Sequence, residues 1–143
     1  MIRGMKAPSF MDLALLAAET AGKSGEVPVG CVVVRDHEVI ATGANRTLTD
    51  HDPTAHAEIV ALRAAAAKIG SERLVDCDLY VTLEPCAMCA GAISFARVRR
   101  LYYGAADPRA ARWTRAYGSL PRRPATTRRT SIPASARARR RGC

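Results

Sequence analysis

His56 and Glu58 stand two residues apart in His56-Ala57-Glu58, and Cys86 and Cys89 three apart in Pro85-Cys86-Ala87-Met88-Cys89. One imidazole and two thiolates are ligands of the kind zinc takes, while the carboxylate is a harder group suited to carrying protons. Three protein ligands leave one position open on a tetrahedral zinc, the condition for chemistry at the metal. A structural site needs a fourth ligand. His37 and His51 are the other histidines, Cys31 and Cys77 the nearest cysteines, and none of them has paired ligand spacing. A lone Cys-x-x-Cys is weak ground for a metal. Its agreement with the His-x-Glu pair in ligand type and in position along the chain is stronger. A structural zinc, or four unrelated residues, is the competing reading.

Such a site needs elements that bring the two pairs together. In mid-helix, residues two apart point to different sides, so His56 and Glu58 converge only in a first turn, with the metal beyond the helix end. Thr54 as cap of a helix over Ala55–Lys68, ending at Gly70, supplies that start. Cys86 and Cys89 open a further helix over Cys86–Ala96, with Pro85 at or just before its first turn. Both helix N-termini then face the metal, and their partial positive charge favours thiolates and hydroxide.

The remaining pattern builds a frame for those helices. Ser9 caps a first helix with Asp12 three residues on, and Phe10, Leu13, Leu16, Ala17 and Thr20 recur near helical spacing until Gly22 and Gly25. Val29–Arg35 reads as a buried strand, Asp36-His37 as a turn, and Glu38–Thr42 as the antiparallel return. Asn45–Pro53 is a polar loop. Asp78–Leu83 and Val98–Tyr103 are the third and fourth strands. The order αββαβαβ predicts an α/β fold of three layers, α/β/α, around a central mixed sheet.

The chain has 143 residues and 48% hydrophobic content, enough for one domain with a buried core. No apolar run approaches the roughly 18 residues of a membrane span, and Met1–Pro8 lacks the apolar stretch of a signal peptide. These features predict a cytoplasmic protein without a membrane partner. Five cysteines are expected to stay reduced there, Cys31 as a small core residue, with no disulfide framework. The net charge of +9 is unevenly spread. Residues 1–108 hold 11 Lys and Arg against 13 Asp and Glu, whereas residues 109–143 hold 11 Arg and no acid. The expected organisation is a near-neutral domain over 1–108 and a basic, disordered tail over 109–143, with a turn around Trp113 and Tyr117 as its one candidate for order.

Glu26-Val27-Pro28-Val29-Gly30, Asn45-Arg46, His51-Asp52-Pro53-Thr54-Ala55-His56-Ala57-Glu58-Ile59 and Tyr80-Val81-Thr82-Leu83-Glu84-Pro85-Cys86-Ala87-Met88-Cys89-Ala90-Gly91-Ala92-Ile93 resemble the bacterial tRNA-specific adenosine deaminases. The zinc motif alone indicates only the wider cytidine-deaminase-like superfamily. The likeness runs from about Phe10 to Pro108. It implies a zinc-dependent hydrolase that converts adenosine to inosine at the wobble position of a tRNA anticodon arm, acting as a homodimer. It also implies Zn2+ held by His56, Cys86 and Cys89, with Glu58 as the catalytic proton carrier. Asn45, the Ala57 backbone N–H and Asp107 become the substrate contacts. From the residues alone, Asn45 is a loop residue and Asp107, before Pro108, a turn residue.

Other readings share these residues. The same zinc motif serves deaminases of free guanine or cytosine, or of their nucleosides. The Arg-rich tail alone suggests a nucleic-acid-binding module with an inactive deaminase core. Arg97, Arg99 and Arg100, around the fourth strand, are either phosphate contacts or a solvated edge. Beyond Pro108 the resemblance stops. Codons for Thr126–Ile132, read one nucleotide earlier, can give His-His-Ala-Pro-Asp-Ile-Tyr, similar to a tail segment of the family. The tail is thus either the product of a shifted reading frame or a genuine basic extension.

Overall fold

A computed structural model describes residues 8–109 and the short strand Thr130–Ser131. Its order is α1 (Phe10–Lys23), β1 (Gly30–Arg35), β2 (Glu38–Ala44), α2 (Ala57–Ile69), β3 (Cys77–Leu83), α3 (Ala87–Phe95), β4 (Arg100–Ala105) and β5 (Thr130–Ser131). The αββαβαβ expectation therefore holds through β4. The sheet runs β2-β1-β3-β4-β5, with β1 antiparallel to β2 and β3, β3 parallel to β4, and β4 antiparallel to β5. It is mixed, as expected. The disordered tail and the Trp113–Tyr117 turn lie outside the described residues, apart from Thr130 and Ser131, whose pairing with Leu101 and Arg100 adds an edge strand.

β1 is the run Gly-Cys-Val-Val-Val-Arg, buried along all but its last residue. Its side chains alternate between two cores. Val32 and Val34 meet Ala14, Phe10 and Leu13 of α1. Cys31 and Val33 face Ala57, Ala61 and Ala65 of α2 and Ile93 of α3. A continuous apolar strand covered on both faces needs a helical layer on each side, and the fold supplies them.

Two glycines set how closely the helices approach. A Cβ on Gly30 would lie 2.0 Å from the Ala14 carbonyl oxygen, and one on Gly43 would lie 2.3 Å from that of Ala57. α1 thus seats on β1, and the first turn of α2 on β2, backbone to backbone.

α1 opens on a reciprocal cap. Ser9 Oγ accepts from the Asp12 N–H at 3.1 Å, and Asp12 Oδ2 accepts from the Ser9 N–H at 2.8 Å. The face it buries matches the expected one only in part: Phe10 and Leu13 pack on the core and Ala17 is half-buried, but Leu16 and Thr20 are not buried. Ala14, Ala18 and Ala21 are buried while Leu15 and Leu16 are about half exposed and Thr20 is exposed. The contact across Gly30 leaves room only for alanines, and the larger Leu15 and Leu16 point away.

The start of α2 is also corrected. Asp52 Oδ1 accepts from the Thr54 N–H at 2.8 Å and from its hydroxyl at 2.7 Å. Thr54 is thereby held in a side-chain turn and cannot cap. The helix begins at Ala57, with His56 as its N-cap residue. β4 likewise starts at Arg100 and not at Val98.

Candidate active site

One end of the sheet collects every expected site residue. Asn45 follows β2, Cys86 follows β3 and Asp107 follows β4, while β1, running the other way, begins there at Gly30. The N-terminus of α2 packs over the same end through Gly43. A bond of 2.9 Å from the Arg46 N–H to the Ala55 carbonyl ties the Asn45 segment to the residue before His56.

His56 and Cys86 are the N-cap residues of α2 and α3, and neither side chain caps its own helix. Both turn aside to meet each other. His56 Nδ1 lies 3.7 Å from Cys86 Sγ and 3.5 Å from Cys89 Sγ. The three ligand atoms all fall within 4.8 Å of one another. Zinc–sulfur and zinc–nitrogen bonds of ordinary length, at tetrahedral angles, separate N and S by about 3.6 Å. The observed separations match, so the donor set and its spacing fit Zn2+.

Electrostatics point the same way. A hydrogen bond from the Cys89 thiol holds Cys86 down to about 5 against the opposing effect of burial. The Cys89 and Met88 amides and His56 assist electrostatically, the amides short of full side-chain caps. The Cys89 thiol is pushed up, first by that same shared bond, then by burial and by Glu58. Two thiolates side by side repel, and a divalent cation between them removes the penalty.

Glu58 is 4% exposed, in the first turn of α2. Burial pushes its carboxyl above the usual value, and it lies within electrostatic reach of Cys86, His56 and Cys89. Cys31 lies beneath it as the expected core residue, kept protonated by burial and then by Glu58. Ala57 is buried and provides the first amide of α2, one of those a helix leaves without an intrahelical partner. Asn45 is 7% exposed, and its Nδ2 donates to Glu26 Oε2 at 3.2 Å. Asp107 donates its N–H to Glu84 Oε2 at 3.1 Å, which pins its loop beside the Cys86 turn.

Two features were not visible to the sequence reading, which left Arg97, Arg99 and Arg100 open between phosphate contacts and a solvated edge. Arg99 binds Asp78 through two bonds of 3.0 and 3.1 Å, and Arg100 lies 3.7 Å from the same carboxylate. Asp78 opposes Arg100 across the start of β3 and β4, the end of the sheet away from the ligands. Both arginines therefore neutralise a buried acid and lie far from the site. Glu26, buried against Asn45, had no local signal beyond its place in the resemblance.

Comparison with known proteins agrees with this geometry. Residues 5–105 match the family model of the cytidine and deoxycytidylate deaminase zinc-binding region. The tRNA-specific adenosine deaminase of Agrobacterium fabrum is 61% identical over 100 residues, 70% of this chain and 66% of that protein. That of Haemophilus influenzae is 52% identical over 99 residues, 68% of this chain and 57% of that protein. The chain thus spans about three fifths of the length of these relatives. A solved structure from a study of A-to-I editing by tRNA:A34 deaminases at the wobble position of transfer RNA has 62% identity and a TM-score of 0.68, covering 69% of this chain and 72% of that one. Guanine deaminase from Bacillus subtilis has 41% identity and a TM-score of 0.69, covering 76% and 70%. With the motif, the fold and a family match over most of its length in agreement, the chain belongs to the cytidine and deoxycytidylate deaminase family defined by its zinc-binding region.

Proposed function

We propose that this protein is a zinc-dependent hydrolase that deaminates adenosine to inosine at the wobble position of tRNA. The observation that carries the reading is the meeting of His56, Cys86 and Cys89 beside the buried Glu58, at the sheet end that also holds Asn45. The identity to tRNA-specific adenosine deaminases supports adenosine in tRNA as the substrate.

In this reaction water adds to C6 of adenine, the C6–N bond breaks, and ammonia leaves. When bound, zinc supplies a Lewis acid that makes water a nucleophile at neutral pH. Glu58 takes one proton of the attacking water to the ring nitrogen N1, then carries the second, from the new C6 hydroxyl, to the departing amine. Its buried setting keeps each proton within the site. Asn45 and the Ala57 N–H orient the base, and Asp107 contacts the sugar of the target nucleotide. His56, Cys86 and Cys89 hold the metal.

An anticodon stem-loop with adenosine at the wobble position is expected to yield inosine and ammonia, while free adenine, guanine and cytosine yield none. The likeness to guanine deaminase favours the second reading, a free-base enzyme. Ammonia from guanine, with no inosine in the stem-loop, would establish that reading and overturn the first.

The protein acts as a homodimer in this reading. Met88 and Phe95, seven residues apart on α3, are 39% and 76% exposed, an apolar stripe on the helix that carries Cys89. Light scattering is expected to give the mass of a dimer, and Phe95→Asp that of a monomer. A monomeric native protein would refute the pairing. Among the described residues no helix is long and apolar enough to cross a membrane. A tRNA substrate and thiolate ligands that must stay reduced support a cytoplasmic enzyme in this reading.

A further inference from the structure

Glu26, in the turn between α1 and β1, is 6% exposed, an uncommon state for a glutamate. Hydrogen bonds stabilise it. Oε1 accepts from the Thr49 N–H at 2.7 Å and its hydroxyl at 2.9 Å. Oε2 accepts from Asn45 Nδ2 at 3.2 Å and from the Thr47 hydroxyl at 3.4 Å. The two oxygens thus have separate tasks: one clamps the loop at Thr49, the other meets the Asn45 amide. Burial raises the Glu26 pKa, but the bonds from Thr49, Asn45 and the Leu48 backbone outweigh it and leave the net value lowered. The group is a carboxylate at neutral pH and can only accept.

We propose that Glu26 is a positioning residue that fixes the orientation of the Asn45 amide, and so decides which hydrogen-bonding face Asn45 presents to a nucleobase. The inference rests on Asn45 being a base contact, as assigned above. An asparagine amide has two orientations of nearly equal shape, and its neighbours select between them. Beside an acceptor-only oxygen, Asn45 must turn its nitrogen inward. Thr47 Oγ1, 3.3 Å from the same nitrogen, adds to the selection.

Glu26→Gln separates the two tasks of this side chain. The glutamine oxygen still accepts from Thr49, so the loop stays clamped. The glutamine nitrogen then faces Asn45 and needs an acceptor, so the Asn45 amide reverses. A structural role alone would leave this conservative variant nearly silent.

Asn45 is the one asparagine of the chain, which has no glutamine. Labelling with 15N-asparagine therefore gives a single side-chain NH2 pair, a direct probe of this amide. In full-length Glu26→Gln that pair is expected to move, with zinc content and stem-loop affinity unchanged. The kcat/KM on the stem-loop is expected to fall about tenfold or more, to the level of Asn45→Ala, with the double variant no lower. An unmoved NH2 pair, or losses that multiply in the double variant, would overturn the proposal. Native kcat/KM in Asn45→Ala would instead remove Asn45 from the base and with it the consequence for recognition. An NH2 pair that still moves in Glu26→Gln then identifies that failure as one of the assigned contact.

Discussion

Glu58→Gln is expected to lower kcat by about 10²–10⁴-fold, with zinc content and stem-loop affinity retained. The substitution keeps the volume of the side chain at a position only 4% exposed, so packing around α2 is preserved. It removes the one property the reaction needs from this residue, the capacity to accept a proton and release it. The loss belongs in kcat, because no contact with the ground state is removed. Single-turnover deamination of the stem-loop, beside metal analysis and RNA binding on the same preparation, measures all three quantities.

A gain in stability is expected to accompany that loss. Burial raises the Glu58 pKa. The folded, metal-free chain therefore binds this proton more tightly than the unfolded chain does. Glu58 favours folding most below the usual carboxylate pKa, and that contribution is lost as pH rises through its raised folded value. At neutral pH an isolated buried carboxylate is a cost that an amide avoids. Unfolding of the metal-free proteins at neutral pH is the check, with Glu58→Gln at least as stable as the native chain. A variant that is both inactive and unstable would mean that Glu58 supports the fold. A variant with native rates would remove it from the chemistry.

Much of this site was legible because its residue types are rare and its spacing is constrained. His56, Cys86 and Cys89 could be singled out as candidate ligands from softness and position, and the structure brings them together; β1 could be read from its uninterrupted apolar run. Three features were not legible, each because another residue had already taken up the position or the side chain. The buried stripe of α1 runs through Ala14, Ala18 and Ala21 because Gly30, on another element, brings the backbones into contact. Periodicity favoured Leu16, which is larger and cannot fit there. α2 begins at Ala57 because Asp52 captures the Thr54 hydroxyl, and a competent capping residue gives no sign of being already engaged. Arg99 and Arg100 resemble free cations until Asp78 is found across the sheet. Spacing along the chain reveals chemistry; it does not reveal which partner, near or far, has already used a side chain.

Cys86→Ala is expected to reduce bound zinc from one per chain to near zero, to abolish deamination, and to destabilise the protein by several kcal/mol. Held by the proposed ligands, zinc would join the N-caps of α2 and α3, the two helices that cover one face of the sheet. His56 and Cys89 alone are two ligands, too few to hold a tetrahedral ion against water and buffer. A ligand at about a thousand times its dissociation constant adds about 4 kcal/mol to the folded state, and losing the metal forfeits that term. The alanine also leaves a small void at a partly buried position, so a second route to the metal-free state is needed. Chelation of the native protein supplies it, without any change to the packing. Both routes are expected to lower the melting temperature, and zinc added back is expected to restore the chelated native protein but not Cys86→Ala. Glu58→Gln should respond to chelation and to zinc as the native chain does, because it retains all three ligands. Native protein that is metal-free and still active, or a melting temperature indifferent to chelation, would refute a metal at this site.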